Sequence, residues 1–131
     1  MAQIVIFGRR DVHAGQRQAI SDAIHAAATA GDALQLPAGK RFHRFCWLEA
    51  DDFLYPDDRS ARYLIVEVHM FAGRSVAAKK AFLRGIVANL GEACGIAPQD
   101  IEITIAETPR ENWMIRGIPG DELALPYPVE V

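Results

Sequence analysis

Gly73-Arg74-Ser75 stands where one side-chain period gives way to another. Tyr63 to Phe71 alternates with period two, as a strand with two unlike faces must. From Ser75 the period is helical, with Val76, Leu83, Ile86, Val87, Leu90 and Cys94 on one stripe. A glycine followed by an arginine at that junction sets a guanidinium at a sheet edge beside a helix N-terminus, where unpaired N–H groups and the helix dipole also favour an anion. Carboxylate binding is the chemistry this suits. The plainer reading is a turn glycine, a surface arginine and a serine N-cap. Other reactive side chains carry less. Cys46 and Cys94 form no CxxC or metal-ligand spacing and read as reduced, buried thiols. Asp51, Asp52, Asp57 and Asp58 lack a calcium loop's spacing and read as a solvated turn around Tyr55-Pro56. No metal and no cofactor is expected.

The elements that position the junction read as two similar halves, about 1–50 and 62–117, of a single domain spanning 1–131. Gln3 to Phe7 is a short strand, followed by Gly8-Arg9-Arg10 and a helix from about Gly15 to Gly31 whose buried stripe is Ile20, Ala23, Ile24 and Ala27. Leu36-Pro37-Ala38-Gly39 breaks the chain, and Arg41 to Leu48 reads as a second strand. The order then repeats: strand, Gly73-Arg74-Ser75, and a helix to about Cys94 with Gly95 as its C′ residue and Pro98 beyond. A last strand, Ile101 to Ala106, sets Ile101, Ile103 and Ile105 on one face. A duplicated β-α-β unit predicts an α+β fold, a four-stranded mixed sheet with two helices on one face. Ferredoxin-like folds share this element order, with a different strand order and no threefold assembly.

The face opposite the helices is expected to carry Arg41 and His43, Glu67 and His69, and Glu102 and Thr104, mixed with Phe45, Trp47, Tyr63 and Ile65. Such a half-solvated face suits a sheet that associates with copies of itself. The tail, 118–131, carries Pro119, Pro126 and Pro128, so it forms at most an edge strand. Its apolar Leu123, Leu125, Tyr127 and Val129 suggest docking on a neighbouring subunit.

Composition bounds the partners. Half the 131 residues are hydrophobic and a quarter charged, with a net charge of −3, so nothing favours nucleic acid or an anionic membrane. No apolar run approaches the roughly 20 residues of a membrane span. Ile4 to Phe7 is too short for a signal-peptide core and runs into Arg9-Arg10, so a cytoplasmic protein is expected.

The second half, from about Leu64 to Gly120, resembles the tautomerase superfamily, in particular the small 4-oxalocrotonate tautomerase subunit. The matching pieces are the apolar strand, Gly73-Arg74-Ser75, Lys79 or Lys80, Ala97-Pro98, the strand Ile101 to Glu107, and Trp113 within Glu-Asn-Trp-Met-Ile-Arg-Gly. The whole chain is most similar to the longer members grouped around malonate semialdehyde decarboxylase, which keep a Leu/Val-Pro break and a Cys-Gly-Ile-x-Pro turn, here Cys94 to Pro98. The resemblance implies a homotrimer with one site per subunit, an N-terminal proline whose amine moves protons, and arginines that hold the substrate's carboxylate and carbonyl. Carried over by position, the binding arginine becomes Arg74 and the aromatic wall becomes Trp113.

The departures are chemical. The chain begins Met-Ala-Gln-Ile, without the proline, and its first strand is about two residues short before Gly8-Arg9. The decarboxylase's acidic residue falls at Lys40, the first arginine of its Arg-x-Arg pair at Ala72, and a substrate-binding arginine of the smaller tautomerase at Glu102. Removal of Met1 would let Ala2 offer a primary α-amine, whose ordinary pKa of about 7.7–8.0 leaves usable free base. If the second strand keeps its register, Arg41 and His43 lie near the family pocket, and an imidazole beside arginines stays neutral, able to act as a base. Its alternative is a strand histidine bonded to Glu67 or Glu102. Arg74, Arg116 and Lys40 together could hold a dicarboxylate or 2-oxo acid, shielded by Trp113; each could equally be a solvated charge. The expected function is keto-enol isomerisation or related proton transfer on a small oxo- or enol-carboxylate. A carboxylate-binding or structural trimer without turnover is the competing expectation.

Overall fold

The computed structural model describes residues 2–131. Strand β1 (Ala2–Arg9) leads without a loop into one helical turn, α1 (Arg10–His13), a 3-10 turn (Ala14–Gln16) and helix α2 (Arg17–Thr29). Strand β2 (His43–Leu48) follows, then β3 (Leu64–Phe71), α3 (Val76–Cys94) and β4 (Ile101–Thr108). The sheet order is β2-β1-β3-β4, with β1 parallel to β2, β3 parallel to β4, and the central pair antiparallel. Two βαβ units thus meet through β1 and β3, and the mixed sheet and two long helices stand as expected.

The core lies between one sheet face and the two helices. Ile4 and Ile6 of β1 and Leu64, Val66, Val68 and Met70 of β3 are buried with Ile20, Ala23, Ile24 and Ala27 of α2. On α3 the buried row is Ala78, Phe82, Ile86, Leu90 and Cys94, a strict i+4 series. This corrects the expected stripe at one end: Val76 is exposed, and Phe82, fully buried, takes the central place. Leu83 and Val87 border a groove against Ile101 and Ile103 of the edge strand β4. Ser75 caps α3 by accepting from Ala78 N at 3.1 Å, and Gly95 ends it in the left-handed region (φ 65°).

Strand β2 turns its other face to the helices. Parallel pairing sets His43 beside Ile4, Phe45 beside Ile6 and Trp47 beside Gly8, and paired residues share a face. Arg41, His43, Phe45 and Trp47 were expected on the open face; the last three lie on the helix side and Arg41 reaches α2. The open face instead carries Arg44 and Cys46, with Gln3, Val5, Phe7, Glu67, His69 and Thr104 of the neighbouring strands. Cys46 is therefore exposed rather than buried. The physical reason is α2 itself, which presents Ser21, Asp22 and His25 over this edge and gives inward polar side chains partners.

Beyond β4, β5 (Met114–Ile115) and β6 (Ile118–Pro119) form a hairpin whose two turn residues, Arg116 and Gly117, both have positive φ (51° and 79°). Arg110 holds the following chain by donating to the carbonyls of Gly120 (2.9 Å) and Leu123 (2.7 Å). Leu123, Tyr127 and Val129 of the tail are buried against their own chain. Among the described residues, no helix is long and apolar enough to cross a membrane.

Candidate functional site

The β3–α3 junction makes a tight change of direction: Gly73 has φ 135°, a conformation glycine alone adopts readily. Arg74 then points inward and is only 4% exposed. Its Nη1 donates to Phe71 O at 3.3 Å, while Nε and Nη2 are buried with no partner among the described residues. Burial pulls its pKa down from the usual arginine range, against the opposing influence of Tyr127, Glu107 and Glu130. A guanidinium short of two acceptors in such surroundings is destabilised relative to one whose N–H groups are all paired.

The tail roofs this cation. Val129 lies over Gly73, with Cγ1 3.1 Å from where a Cβ on that glycine would stand, and Val131 O accepts from Ser75 Oγ at 3.0 Å. Tyr127 is buried beside Arg74; burial raises its phenol pKa, with Arg74 and Arg110 pulling it down.

Phe71 links the cation to an aromatic wall. Its ring meets Trp113 edge-on at 5.1 Å, and the Arg110 guanidinium lies 5.3 Å from its centre. Trp113, Met114, Asn112, Thr108, His69 and Gln3 line a cleft of about 250 Å³. Ala2, buried and paired with Met70, brings the start of β1 to this same end of the sheet. Met1 lies outside the described residues.

A second cleft, of about 310 Å³, adjoins the other side of β1 and is lined by Gln3, Arg41, Phe42, His43 and Arg44. Ile4 N donates to Phe42 O at 2.9 Å, fixing this loop to the strand. Arg41 is bound to Asp22 (2.5 Å) and to Ser21 Oγ (3.2 Å). His43 Nδ1 lies 2.7 Å from Ser21 Oγ, not against Glu67 or Glu102. Burial, then the charges of His25 and Arg41, lower the His43 pKa to about 4 despite Asp22.

Of the seven residues singled out by sequence, Ala2 and Arg74 stand at the same end of the sheet, by β1–β3 pairing and the Phe71 carbonyl, and Trp113 touches the Phe71 ring but lines a cleft that includes neither; Arg41 and His43 share the neighbouring cleft. Lys40 and Arg116 line neither: Lys40 stays in the loop before β2 and Arg116 is exposed at the hairpin tip. Sequence reasoning missed Tyr127, Arg110 and Ser21. Ser21 had a signal, since Ser21 and His25 are a polar i, i+4 pair flanking the apolar stripe of α2. Among the described residues, no group of three His, Cys, Asp or Glu side chains is arranged to hold a metal.

The comparisons with known proteins agree with this architecture. The chain is 37% identical over 57 residues to 2-hydroxymuconate tautomerase of Pseudomonas putida, covering 44% of this chain and 90% of that one. Its structure is similar to malonate semialdehyde decarboxylase FG41 inhibited by 3-bromopropiolate, at 30% identity and a TM-score of 0.79 over 95% of this chain and 99% of that one. A fused 4-OT crystallised as an asymmetric trimer shares the fold at 14% identity, with a TM-score of 0.79 over 91% and 96% of the two chains. Residues 40–116, more than half of the sequence, match the family described as Tautomerase enzyme. With β3, the Gly-Arg-Ser junction, α3, β4 and Trp113 all inside the matched segment, this chain belongs to the tautomerase family.

Proposed function

We propose that the chain forms a homotrimer that binds a small 2-oxo or enol carboxylate through Arg74 and moves a proton on it weakly or by an altered route. The observation that carries this reading is the buried Arg74 guanidinium with Nε and Nη2 unpartnered. A carboxylate offers two oxygens at the spacing of two guanidinium N–H groups. Tyr127 and Val129 part to admit it and then exclude water, and the Phe71–Trp113 pair walls the carbon skeleton. Ketonisation takes one proton from the enol oxygen and delivers one to the adjacent carbon. An α-amine freed at Ala2, at the same end of the sheet, can relay that proton. Similarity to a fused 4-OT that crystallised as a trimer supports threefold association, and the open face with Val5, Phe7 and Ile65 supplies apolar surface for it.

A second reading is favoured by Ala2 standing where the family resemblance implies proline: a carboxylate-binding trimer without turnover. Ketonisation of a simple enol-pyruvate by wild type and Arg74→Ala separates the two, alongside mass spectrometry of the native N-terminus. Turnover lost in the variant supports the enzyme. Equal background rates with binding retained only in wild type support the binding protein.

A further inference from the structure

Buried Ser21 and half-buried His43 form a polar pair that the Arg74 reading does not use. Ser21 is 7% exposed, on the face of α2 turned toward the sheet, and its Oγ lies 2.7 Å from His43 Nδ1. The same oxygen accepts from Arg41 Nη1 at 3.2 Å, and Arg41 is fixed in turn by Asp22. A hydroxyl that accepts from a guanidinium keeps its own proton to give, and His43 Nδ1, 2.7 Å away, is placed to take it. A neutral imidazole accepting at Nδ1 carries its proton on Nε2. Nε2 has no protein partner among the described residues, and His43 lines the cleft with Gln3, Arg41, Phe42 and Arg44. No carboxylate lines that cleft; Arg41 and Arg44 offer only donors there, and Gln3 an amide that can donate.

We propose that Arg41 and Ser21 lock His43 as an Nε2–H hydrogen-bond donor, making the cleft between the start of β1 and β2 a subsite for a carboxylate or carbonyl oxygen. His43 then binds and polarises an oxygen and does not serve as the base. Ser21 is the positioning residue. The groups facing the ring are consistent with a neutral donor: His25 and Asp22 from α2, Arg41 from the loop, and the apolar Ile4 from β1. For the identity of the oxygen-bearing ligand, this inference rests on the Arg74 reading.

The test uses the full chain, with pyruvate as the probe. Nitrogen-15 NMR of the imidazoles, with His43 identified by His43→Gln, should show Nδ1 unprotonated and Nε2 protonated at pH 7. Pyruvate should shift the Nε2–H signal. Ser21→Ala should mix the two tautomers and weaken pyruvate about fivefold, as loss of one positioned hydrogen bond does, while Ser21→Thr restores both. An Nδ1–H tautomer in wild type overturns the proposal. So does pyruvate binding that Arg74→Ala abolishes while the His43 signals stay still; that result leaves the Arg74 reading intact. A shifted His43 with affinity unchanged in Arg74→Ala upholds this subsite and sinks the Arg74 reading. No pyruvate binding at all overturns the ligand claim at both places.

Discussion

At the end of β1, Arg9 finds Asp11 two residues on, at 2.6 Å, and Tyr55 Oη at 3.4 Å; at the end of β3, Arg74 finds one carbonyl and, among the described residues, nothing for its other two nitrogens. The two junctions share the strand–glycine–arginine–helix order but spend the arginine differently. In the first half Arg9, Arg10 and Arg41 each meet an acid, and His43 meets a serine through Nδ1 alone. The second keeps a cation in the interior with two nitrogens unpartnered among the described residues. Two copies of one strand–glycine–arginine–helix order thus differ in what their neighbouring side chains offer the arginine. The glycines differ in kind as well. Gly8 sits inside the strand where a Cβ would stand 2.7 Å from Leu64, 2.9 Å from His13 and 3.0 Å from Trp47, so it is required by packing. Gly73 is required by its φ.

The largest effect should separate the two arginines directly. Arg74→Ala is expected to weaken pyruvate binding at least about tenfold in calorimetry, the weight of a charge-assisted bidentate contact, and Arg9→Ala to leave it unchanged. Arg74→Met should lose binding equally and gain thermal stability, since an unpaired interior charge is replaced by an apolar chain of similar length.

Acid tests the self-sufficiency of the first half. The folded pKa of His43, about 4, lies below the ordinary 6.5, so between those values the unfolded chain binds the extra proton. Stability is therefore present above pH 6.5 and falls as the pH drops toward 4, by on the order of 3 kcal/mol for this group. Urea unfolding at pH 7 and pH 4.5 should show that loss, and His43→Gln should make it smaller. His13, also shifted down by burial, accounts for part of what remains.

The glycines give the next effect. Gly8→Ala is expected to destabilise by about 2 kcal/mol through overpacking. Gly73→Ala should cost about 1 kcal/mol through strain, with added crowding from Val129. Gly73→Ala should also change carboxylate affinity, whereas Gly8→Ala should not. Smallest of all, Asp11→Asn should leave the unfolding midpoint unmoved, because the pair it breaks is exposed.

The frame was legible because period changes mark it: alternation over Leu64–Phe71, the 3.6 period after Ser75, and Gly95 with Pro98 at the helix end. The place of the Gly-Arg-Ser junction was legible for the same reason, since it stands at an element boundary; Trp113 entered through the family resemblance and not through periodicity. The facing of β2 was not legible. An edge strand with polar residues at alternate positions reads as half-solvated, and only the polar row of α2 reverses that. The tail was half legible. Its prolines forbid a long strand, and none forms beyond Pro119. That it folds back over Gly73 depends on the space a missing Cβ leaves, which no periodicity records.

The chain's two tryptophans fall one to each half, and their settings make them separate optical reporters. Trp47 is stacked on His13 with Arg17 above it, within the packed interior of the first unit. Trp113 borders a cleft beside Phe71. A Trp47→Phe chain would keep a single indole whose emission follows events around Arg74, and Trp113→Phe one that follows unfolding. The two halves can therefore be watched separately in one cuvette, without attaching a dye.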